Sequence, residues 1–363
     1  MEPINRFFVL MICGDRILGE EKSFVKKVYS EMGRDEIYKH VSKKKILPFA
    51  AKTLSALGCD SDYWNDIFQQ FADRNNALLA FLDEAYAALE ANGVKKMFVS
   101  ENFGALLSSN SDIGLFSSGD VDNYADYSEK EKIYAAMKSI GCEIKERYAL
   151  KNHIASEFFP SASRGLPEGF YFSVDFYPLA RLKLPCFIKA DNFIDWDRLH
   201  NYGETKIKLA PPEALMYICL MHISLHSFCR APDTRLYIDI YNMAKLNLDF
   251  ESIAGWCAAD NTRVRAAVSA SVSNMLVKTD IPAIISDAGR RSQRLVKSVY
   301  DSKQKCLRAE PSKLKIMRID MMCDDRSDLH GLFDMFFPDK EWMKKTYGRT
   351  GFNAHIKHLK RMI

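Results

Sequence analysis

The sequence lacks the cysteine pattern of a disulfide-stabilised or zinc-binding domain. Its nine cysteines are an odd number, are widely spaced, and include no C-x-x-C pair. A disulfide framework and a zinc ribbon are therefore both disfavoured. Several cysteines lie in apolar stretches, where a free thiol behaves as a small hydrophobic side chain. This pattern is typical of a reducing compartment, so we expect a cytoplasmic protein.

The sequence also lacks a hydrophobic run long enough to span a membrane. Residues 7–13 (FFVLMIC) are apolar, but no basic segment precedes them and no small-residue cleavage site follows. The longest other apolar stretch, residues 214–225, is about twelve residues, whereas a spanning helix needs about twenty. We expect residues 7–13 to begin a buried helix and no membrane to be involved.

Three common nucleotide-binding and hydrolase motifs are missing. The sequence contains no G-x-x-x-x-G-K-[ST], no G-x-G-x-x-G and no G-x-S-x-G. These absences argue against a P-loop NTPase, a dinucleotide-binding fold and an α/β-hydrolase.

The excess of positive charge is confined to the C-terminal part. The formal net charge is +4. Residues 286–363 hold 18 Lys and Arg against 10 Asp and Glu, which leaves 33 against 37 in the rest. The basic part either faces an anionic ligand or consists of solvated helix faces. The acidic remainder argues against a nucleic-acid-binding protein.

The composition is that of a globular protein with an α+β organisation. Of the 363 residues, 47% are apolar and 27% charged, enough apolar surface for two or three packed units. Helical periodicity dominates residues 1–93, and residues 75–92 place Leu78, Leu82 and Leu89 on one face. A mixed α/β core follows at 94–210, and a helical region at 211–363. Pro212 and Glu213 mark the start of that last region.

Within the core, the sequence predicts five strands and two helices. The strands are expected at 94–100, 120–125, 142–148, 153–159 and 170–177. The helices are expected at 102–108 and at 128–140, the second with Ser128 and Glu131 as a capping box and Gly141 as its end. Further helices are expected at 213–229, with a break at Pro232, then at 234–246, 249–300 and 310–363.

The most informative string is SSGDVD, residues 117–122. Successive side chains of a strand alternate faces, so Asp120 and Asp122 point the same way. Two adjacent carboxylates repel each other unless a cation lies between them, and Mg²⁺ prefers such oxygen ligands. Gly119 lets a phosphate approach the backbone closely. By itself D-x-D also occurs on solvated strands.

A third carboxylate, Asp175, lies in the apolar strand FSVDFY. A buried carboxylate is costly unless it is paired or metal-bound. If this strand lies beside the first one, three carboxylates converge. Alternatively, Asp175 pairs with a nearby Lys or Arg.

The order of these features resembles the bacterial family of uncharacterised nucleotidyltransferases, within the polymerase-β-like superfamily. The segments that carry the resemblance are ALEANGVKKMFVSENFGALL, SSGDVDNY, KIYAAMKSIGCE, FSVDFYPL, LAPPEALMYICLMHISLHSF with RLYIDIYNMAK, and FFPDKEWMKKTYG. They span most of the chain. The resemblance implies a nucleotidyltransferase-like mixed β-sheet flanked by N-terminal and C-terminal helices.

The resemblance also implies a mechanism. An NMP would pass from an NTP to a hydroxyl of a small molecule, sugar or protein. Asp120, Asp122 and Asp175 would be the catalytic and metal-binding residues, with Mg²⁺, or Mn²⁺ in its place, as cofactor. Asp175 would serve a second metal or act as general base. The nucleotide-binding residues would be Ser100, Ser118 and Gly119.

The sequence departs from the family pattern at three places. Ser100-Glu101 replaces Lys-Gly, Phe116 replaces Arg, and Phe176-Tyr177 replaces the position after the third Asp where the family has His. An alternative is therefore a catalytically degenerate member that binds a nucleotide or a partner protein without transfer.

His222, His226 and Arg235 are further candidates for substrate contact. The two histidines are four residues apart on one helix face, but the residue after His222 is Ile223, so a zincin motif is excluded. Two roles are open for these histidines: contact with substrate, or a hydrogen bond between helices. For Arg235 the alternatives are contact with a phosphate, or pairing with Asp239 or with the histidines.

Overall fold

The computed structural model describes residues 3–14, 17, 19–148, 154–161, 166, 169–176, 190–226, 228, 233–306, 337–338 and 340–362. Within them the chain is an α+β protein. The strands are β1 (Met97–Val99), β2 (Asp120–Ala125), β3 (Glu143–Tyr148), β4 (Ile154–Phe159), β5 (Tyr171–Phe176), β6 (His200–Asn201) and β7 (Lys208–Leu209).

Helices precede, interrupt and follow the sheet. The first seven are α1 (Pro3–Ile12), α2 (Glu20–Met32), α3 (Arg34–Lys43), α4 (Leu47–Ala56), α5 (Ser61–Ala91), α6 (Glu101–Ser108) and α7 (Lys130–Ser139). The next seven are α8 (Ala190–Phe193), α9 (Pro212–Leu225), α10 (Asp233–Met243), α11 (Phe250–Ala259), α12 (Arg263–Val277), α13 (Ala283–Ser286) and α14 (Arg290–Cys306). The last two are α15 (Lys340–Tyr347) and α16 (Phe352–Met362), and 3-10 turns occur at Ile113–Leu115, Tyr127–Glu129 and Trp196–Arg198.

The seven strands form one mixed sheet in the order β3-β4-β5-β2-β1-β7-β6. The central strand β2 pairs antiparallel with β1 and parallel with β5. The strands β3, β4 and β5 form an antiparallel meander, and β1 pairs parallel with β7. This order places the strand of Asp175 directly beside the strand of Asp120 and Asp122.

The two faces of the sheet pack against different helices. On one face Val121, Ala125 and Phe172 pack with apolar residues of α5 and α7. On the other face Phe98 and Tyr124 belong to a cluster with α9, α10 and α12. Because strand side chains alternate, this second face also carries Asp120 and Asp122.

The N-terminal helices form a third apolar cluster that extends into the C-terminal region. Phe7 and Phe8 of α1 are fully buried, as the apolar run of residues 7–13 predicted. The cluster also contains Ile238 and Tyr241 of α10 and Val277 of α12. The helices before the sheet and those after it therefore share one core.

All five predicted strands are confirmed, with ends shifted by up to three residues. The predicted capping box is wrong: Asp126 accepts hydrogen bonds from the backbone N–H and hydroxyl of Ser128, at 2.9 and 2.6 Å. The short strands β6 and β7 were not predicted. The predicted break at Pro232 and residues 310–336 of the helical region predicted at 310–363 lie outside the described residues.

Two expectations about the chain as a whole also have structural counterparts. Among the described residues, no helix is long and apolar enough to cross a membrane. The cysteines whose surroundings are described are buried and form no disulfide, namely Cys13, Cys59, Cys142, Cys219 and Cys257.

Candidate functional site

The carboxylate strand β2 begins at Asp120, and Asp120, Asp122 and Tyr124 lie on the face toward α9 and α10. Val121, Asn123 and Ala125 alternate with them and are buried. The apolar alternation therefore fixes the direction of both carboxylates, because a slip of one residue would place them in the core under α5 and α7.

Asp175 lies on the same face as the first two carboxylates. In the parallel register of β2 and β5, Asp122 is opposite Ser173 and Tyr124 is opposite Asp175. Opposite residues of neighbouring strands share a face. The negative charge of Asp175 helps to raise the pKa of Asp122, so the two groups are close enough to interact. The structure thus brings Asp120, Asp122 and Asp175 together.

A fourth carboxylate, Glu101, belongs to this group and was not predicted as a site residue. Glu101 is the first residue of α6 and is only 8% exposed. Its carboxyl hydrogen-bonds Asp122, and its Oε2 lies 3.1 Å from Nδ1 of His222. The hydroxyl of Tyr124 donates to its Oε1 at 3.2 Å. The sequence signal was its position directly after β1, where the family pattern has glycine.

The backbone at Glu101 has φ +49°, in the left-handed region that favours glycine. A side chain in this region is strained, and such strain concentrates at functional sites. From this backbone, the Glu101 side chain contacts Tyr124 of β2 and His222 of α9.

Burial and the neighbouring like charges raise the pKa values of Asp122 and Glu101. Burial, then Asp120 and Asp175, raise the pKa of Asp122 to about 8, against a hydrogen bond from Glu101 and the positive charge of Arg235. Burial, then Asp122 and Asp175, raise the pKa of Glu101 well above its usual value. The site therefore favours bound positive charge, either protons or a metal cation.

Asp120 is held by two hydroxyl groups. Ser118 Oγ donates to Oδ1 of Asp120 at 2.5 Å, and Tyr171 donates to Oδ2 at 3.0 Å. The predicted nucleotide-binding hydroxyl of Ser118 thus positions Asp120. At Gly119, a Cβ would meet nothing within 4 Å among the described residues, so space is open beside the backbone there.

Ser100 lies beside Asp122 in the adjacent strand segment. Its backbone N–H donates to the carbonyl of Asp122 at 2.9 Å, and the alternation from Phe98 places both side chains on the same face. Ser100 is fully buried, yet within the described part of the chain its hydroxyl has no hydrogen-bond partner. A buried hydroxyl without a partner is costly, and a ligand oxygen would satisfy it.

The helices α9 and α10 bring His222, His226 and Arg235 over this face. The rings of His222 and His226 are 5.2 Å apart. Burial, then the charges of His226 and Arg235, lower the pKa of His222 well below its usual value, so its imidazole is neutral at pH 7. Arg235 is 5% exposed and, as predicted, pairs with Asp239, at 3.4 Å. Burial raises the pKa of Asp239 to about 6, against the effect of Arg235.

At two positions where the resembled family carries Arg or His, this chain has aromatic residues with other roles. Phe116, at the place of the family's Arg, is buried and packs edge-to-face on Phe103, with 4.7 Å between ring centres. Of the residues after Asp175, Phe176 is buried and position 177 lies outside the described residues.

The fit of a metal ion depends on what else would coordinate it. Among the described side chains, no three of His, Cys, Asp and Glu are arranged to hold a metal ion on their own. Mg²⁺ at nucleotide sites typically takes one or two carboxylates and completes its coordination with phosphate oxygens and water. Asp120 and Asp122, with raised pKa at Asp122, fit that smaller role.

A cavity of about 700 Å³ lies away from this site, between α11, α12 and α13. Its lining includes Glu251, Arg263 and Ile285 and none of the four carboxylates. The candidate site is therefore the sheet face that carries the carboxylates, not this cavity.

No protein-family model, no curated protein and no solved structure matches this chain.

Proposed function

We propose that this chain is a Mg²⁺-dependent nucleotidyltransferase that moves an NMP from an NTP to a hydroxyl of a small molecule, sugar or protein. The observation that carries the proposal is the pairing of β2 with β5. It aligns Asp120, Asp122 and Asp175 on one sheet face, where burial and the charges of Asp120 and Asp175 raise the pKa of Asp122 to about 8. Clustered carboxylates that lack a matching cation are costly to fold, and a phosphate-borne cation would offset that cost.

In this proposal the chain's own residues bind and orient the donor. Asp120, held by Ser118 and Tyr171, and Asp122 bind the magnesium that the triphosphate carries. When bound, magnesium supplies positive charge that offsets the charge developing on the phosphate oxygens. The hydroxyl of Ser100 donates to a phosphate oxygen, and the open space beside Gly119 admits the phosphate to the backbone.

Asp175 has two possible roles that its position supports. On β5, one strand away from Asp122, it either contributes to a second cation or accepts the proton of the acceptor hydroxyl. Arg235 is the nearby cation whose charge reaches Asp122, so it favours an anionic ligand over this face.

A second candidate is a protein that binds a nucleotide or partner without transfer. The observation that favours it is Glu101, whose buried carboxyl hydrogen-bonds Asp122 and so engages a group that the proposed cation needs. The replacement of a cation by the buried Phe116 points the same way. This candidate retains nucleotide or partner binding and lacks turnover.

A thermal-shift panel tests the proposal. Wild type is melted with ATP, GTP, CTP or UTP, each with and without Mg²⁺, and the panel is repeated on Asp122→Asn. A ligand at about 100 times its Kd stabilises by about 2.7 kcal/mol, which moves Tm by several degrees. We expect a Mg²⁺-dependent shift with at least one NTP, and its loss in Asp122→Asn.

The matched control is Asp126→Asn, which makes the same change one residue after β2. Asp126 contacts Ser128 and Lys96, not the carboxylate group, so this variant keeps the shift. No shift with any NTP in wild type would contradict the enzyme proposal. A shift without release of pyrophosphate would favour the second candidate.

A further inference from the structure

The contacts of Glu101 extend the site from β2 to helix α9. Its carboxyl hydrogen-bonds Asp122 on one side and lies 3.1 Å from Nδ1 of His222 on the other. His222 is therefore one carboxyl group away from a proposed cation-binding residue. The side chain of His222 is 15% exposed, so its ring is enclosed but reachable.

Glu101 contacts both Asp122 and His222 from a strained backbone. With φ at +49°, the first residue of α6 turns its side chain toward the sheet face, and the hydroxyl of Tyr124 fixes it there at 3.2 Å. A glycine would adopt this backbone without strain but would leave His222 without this partner. The contact with His222 is thus a specific product of a costly conformation.

We propose that His222 accepts the proton of the acceptor hydroxyl in the nucleotidyl transfer and that Glu101 positions it; this rests on the function proposed above. Glu101 Oε2 accepts a hydrogen bond from Nδ1–H of His222, which holds the imidazole in the tautomer with a lone pair on Nε2. A neutral imidazole oriented by a carboxyl in this way is a suitable general base.

The hydroxyl proton of the acceptor passes to Nε2 of His222, and the hydroxyl oxygen forms a bond to the α-phosphorus. The bond from the α-phosphorus to its bridging oxygen breaks, and pyrophosphate leaves with that electron pair. Asp175 then remains available for cation binding.

The tautomer of His222 can be measured without any substrate. Protein with ¹⁵N-labelled histidine, in EDTA, is examined by long-range ¹H–¹⁵N NMR, with His222→Gln to assign the signal. We expect the Nδ1–H tautomer in wild type and a shift toward Nε2–H in Glu101→Ala. The Nε2–H tautomer in wild type, or no change in Glu101→Ala, would overturn the positioning role.

Turnover is measured as pyrophosphate release, with water or glycerol as acceptor and the NTP that gives the Mg²⁺-dependent shift. Loss of a general base lowers kcat by about 10²–10⁴-fold, so we expect this of His222→Gln, with KM for the NTP and the thermal shift retained. We expect a smaller fall in kcat for Glu101→Ala, and restoration toward wild type in Glu101→Asp.

The matched control is His40→Gln, because His40 forms another histidine–glutamate pair, at 2.8 Å from Glu36 on α3, far from the sheet. It keeps the wild-type kcat. If His222→Gln turns over normally and the Mg²⁺·NTP shift is present, His222 is not the general base, and the proposed nucleotidyltransferase function is unaffected. No shift in wild type overturns the nucleotidyltransferase, and the catalytic role of His222 with it.

Discussion

At the scale of single residues, the site is organised by electrostatic cost. Asp122 lies among Glu101, Asp120 and Asp175, and the positive charge of Arg235 only partly compensates. Fold stability alone would not select such a group, because removing like charges from a buried site stabilises a protein. The proposed cation, carried by the ligand, would account for its presence.

The first prediction concerns the pH dependence of this cost. The pKa of Asp122 in the folded protein, about 8, lies above its unfolded value of about 3.9. Between these values the folded state binds more protons than the unfolded state, so stability falls as pH rises from about 4 to 8. In EDTA we expect Asp122→Asn to melt above wild type at pH 8, by a few degrees, and close to it at pH 5.

The control is Asp126→Asn, for which the expected change in stability has the opposite sign. Hydrogen bonds from Ser128 and the charge of Lys96 lower the pKa of Asp126 against the effect of burial, so its carboxylate form stabilises the fold. This variant melts at or below wild type at pH 8. An Asp122→Asn variant that is no more stable than wild type at pH 8 would show that Asp122 is not under this repulsion.

At the scale of elements, helix α6 packs between the sheet and α9. It follows β1 with no intervening loop, and the residues of its first two turns are buried. At Gly104 a Cβ would lie 2.6 Å from the carbonyl oxygen of Val99 and 3.2 Å from Leu215 of α9. The close approach of α6 to β1 thus depends on the absence of a side chain at Gly104.

The second prediction follows from this close approach. Gly104→Ala forces α6 away from β1, because the carbonyl of Val99 cannot move without breaking the strand. Overpacking of this kind costs about 1–3 kcal/mol, which urea denaturation would detect. The shift also displaces Glu101 from His222, so turnover falls with stability.

The control for this substitution is Gly255→Ala, within helix α11. A Cβ there meets nothing within 4 Å among the described residues. Alanine has the higher helix propensity, so this variant gains up to about 1 kcal/mol. Equal stability of the two variants would contradict the close packing of α6 against β1.

At the scale of the whole molecule, the helices before the sheet and those after it stabilise each other. The cluster that contains Phe7, Phe8 and Trp64 also buries Ile238 and Tyr241 of α10. Because α10 also carries Arg235, the N-terminal helices support the helix that covers the carboxylate face.

The third prediction is that residues 61–363 do not form a stable protein by themselves. Deleting residues 1–60 uncovers Ile238, Tyr241 and Val277, which are 1%, 2% and 3% exposed in the intact chain. We expect the truncated chain to bind a hydrophobic dye at 25 °C and to lose its cooperative calorimetric transition. A cooperative transition at the full-length Tm would show that the N-terminal helices are an independent unit.

The sequence by itself determined the local elements and the faces of the central strands. Apolar alternation in residues 120–125 and 170–177 set both the strands and the common direction of Asp120 and Asp122, because the period of a strand is a local property. The helical spacing of His222 with His226, and of Arg235 with Asp239, was equally local. The two-residue strands β6 and β7 escaped prediction, since they are too short to show a period.

Only the tertiary structure decided which of these residues meet. The convergence of Asp175 with Asp122 required β5 to pair with β2 rather than with another strand. The contact of Glu101 with His222 required a left-handed backbone after β1 and the packing of α9 across α6. Such contacts join segments about 50 to 120 residues apart, and they are fixed by burial and strand pairing summed over the whole core, which no local pattern records.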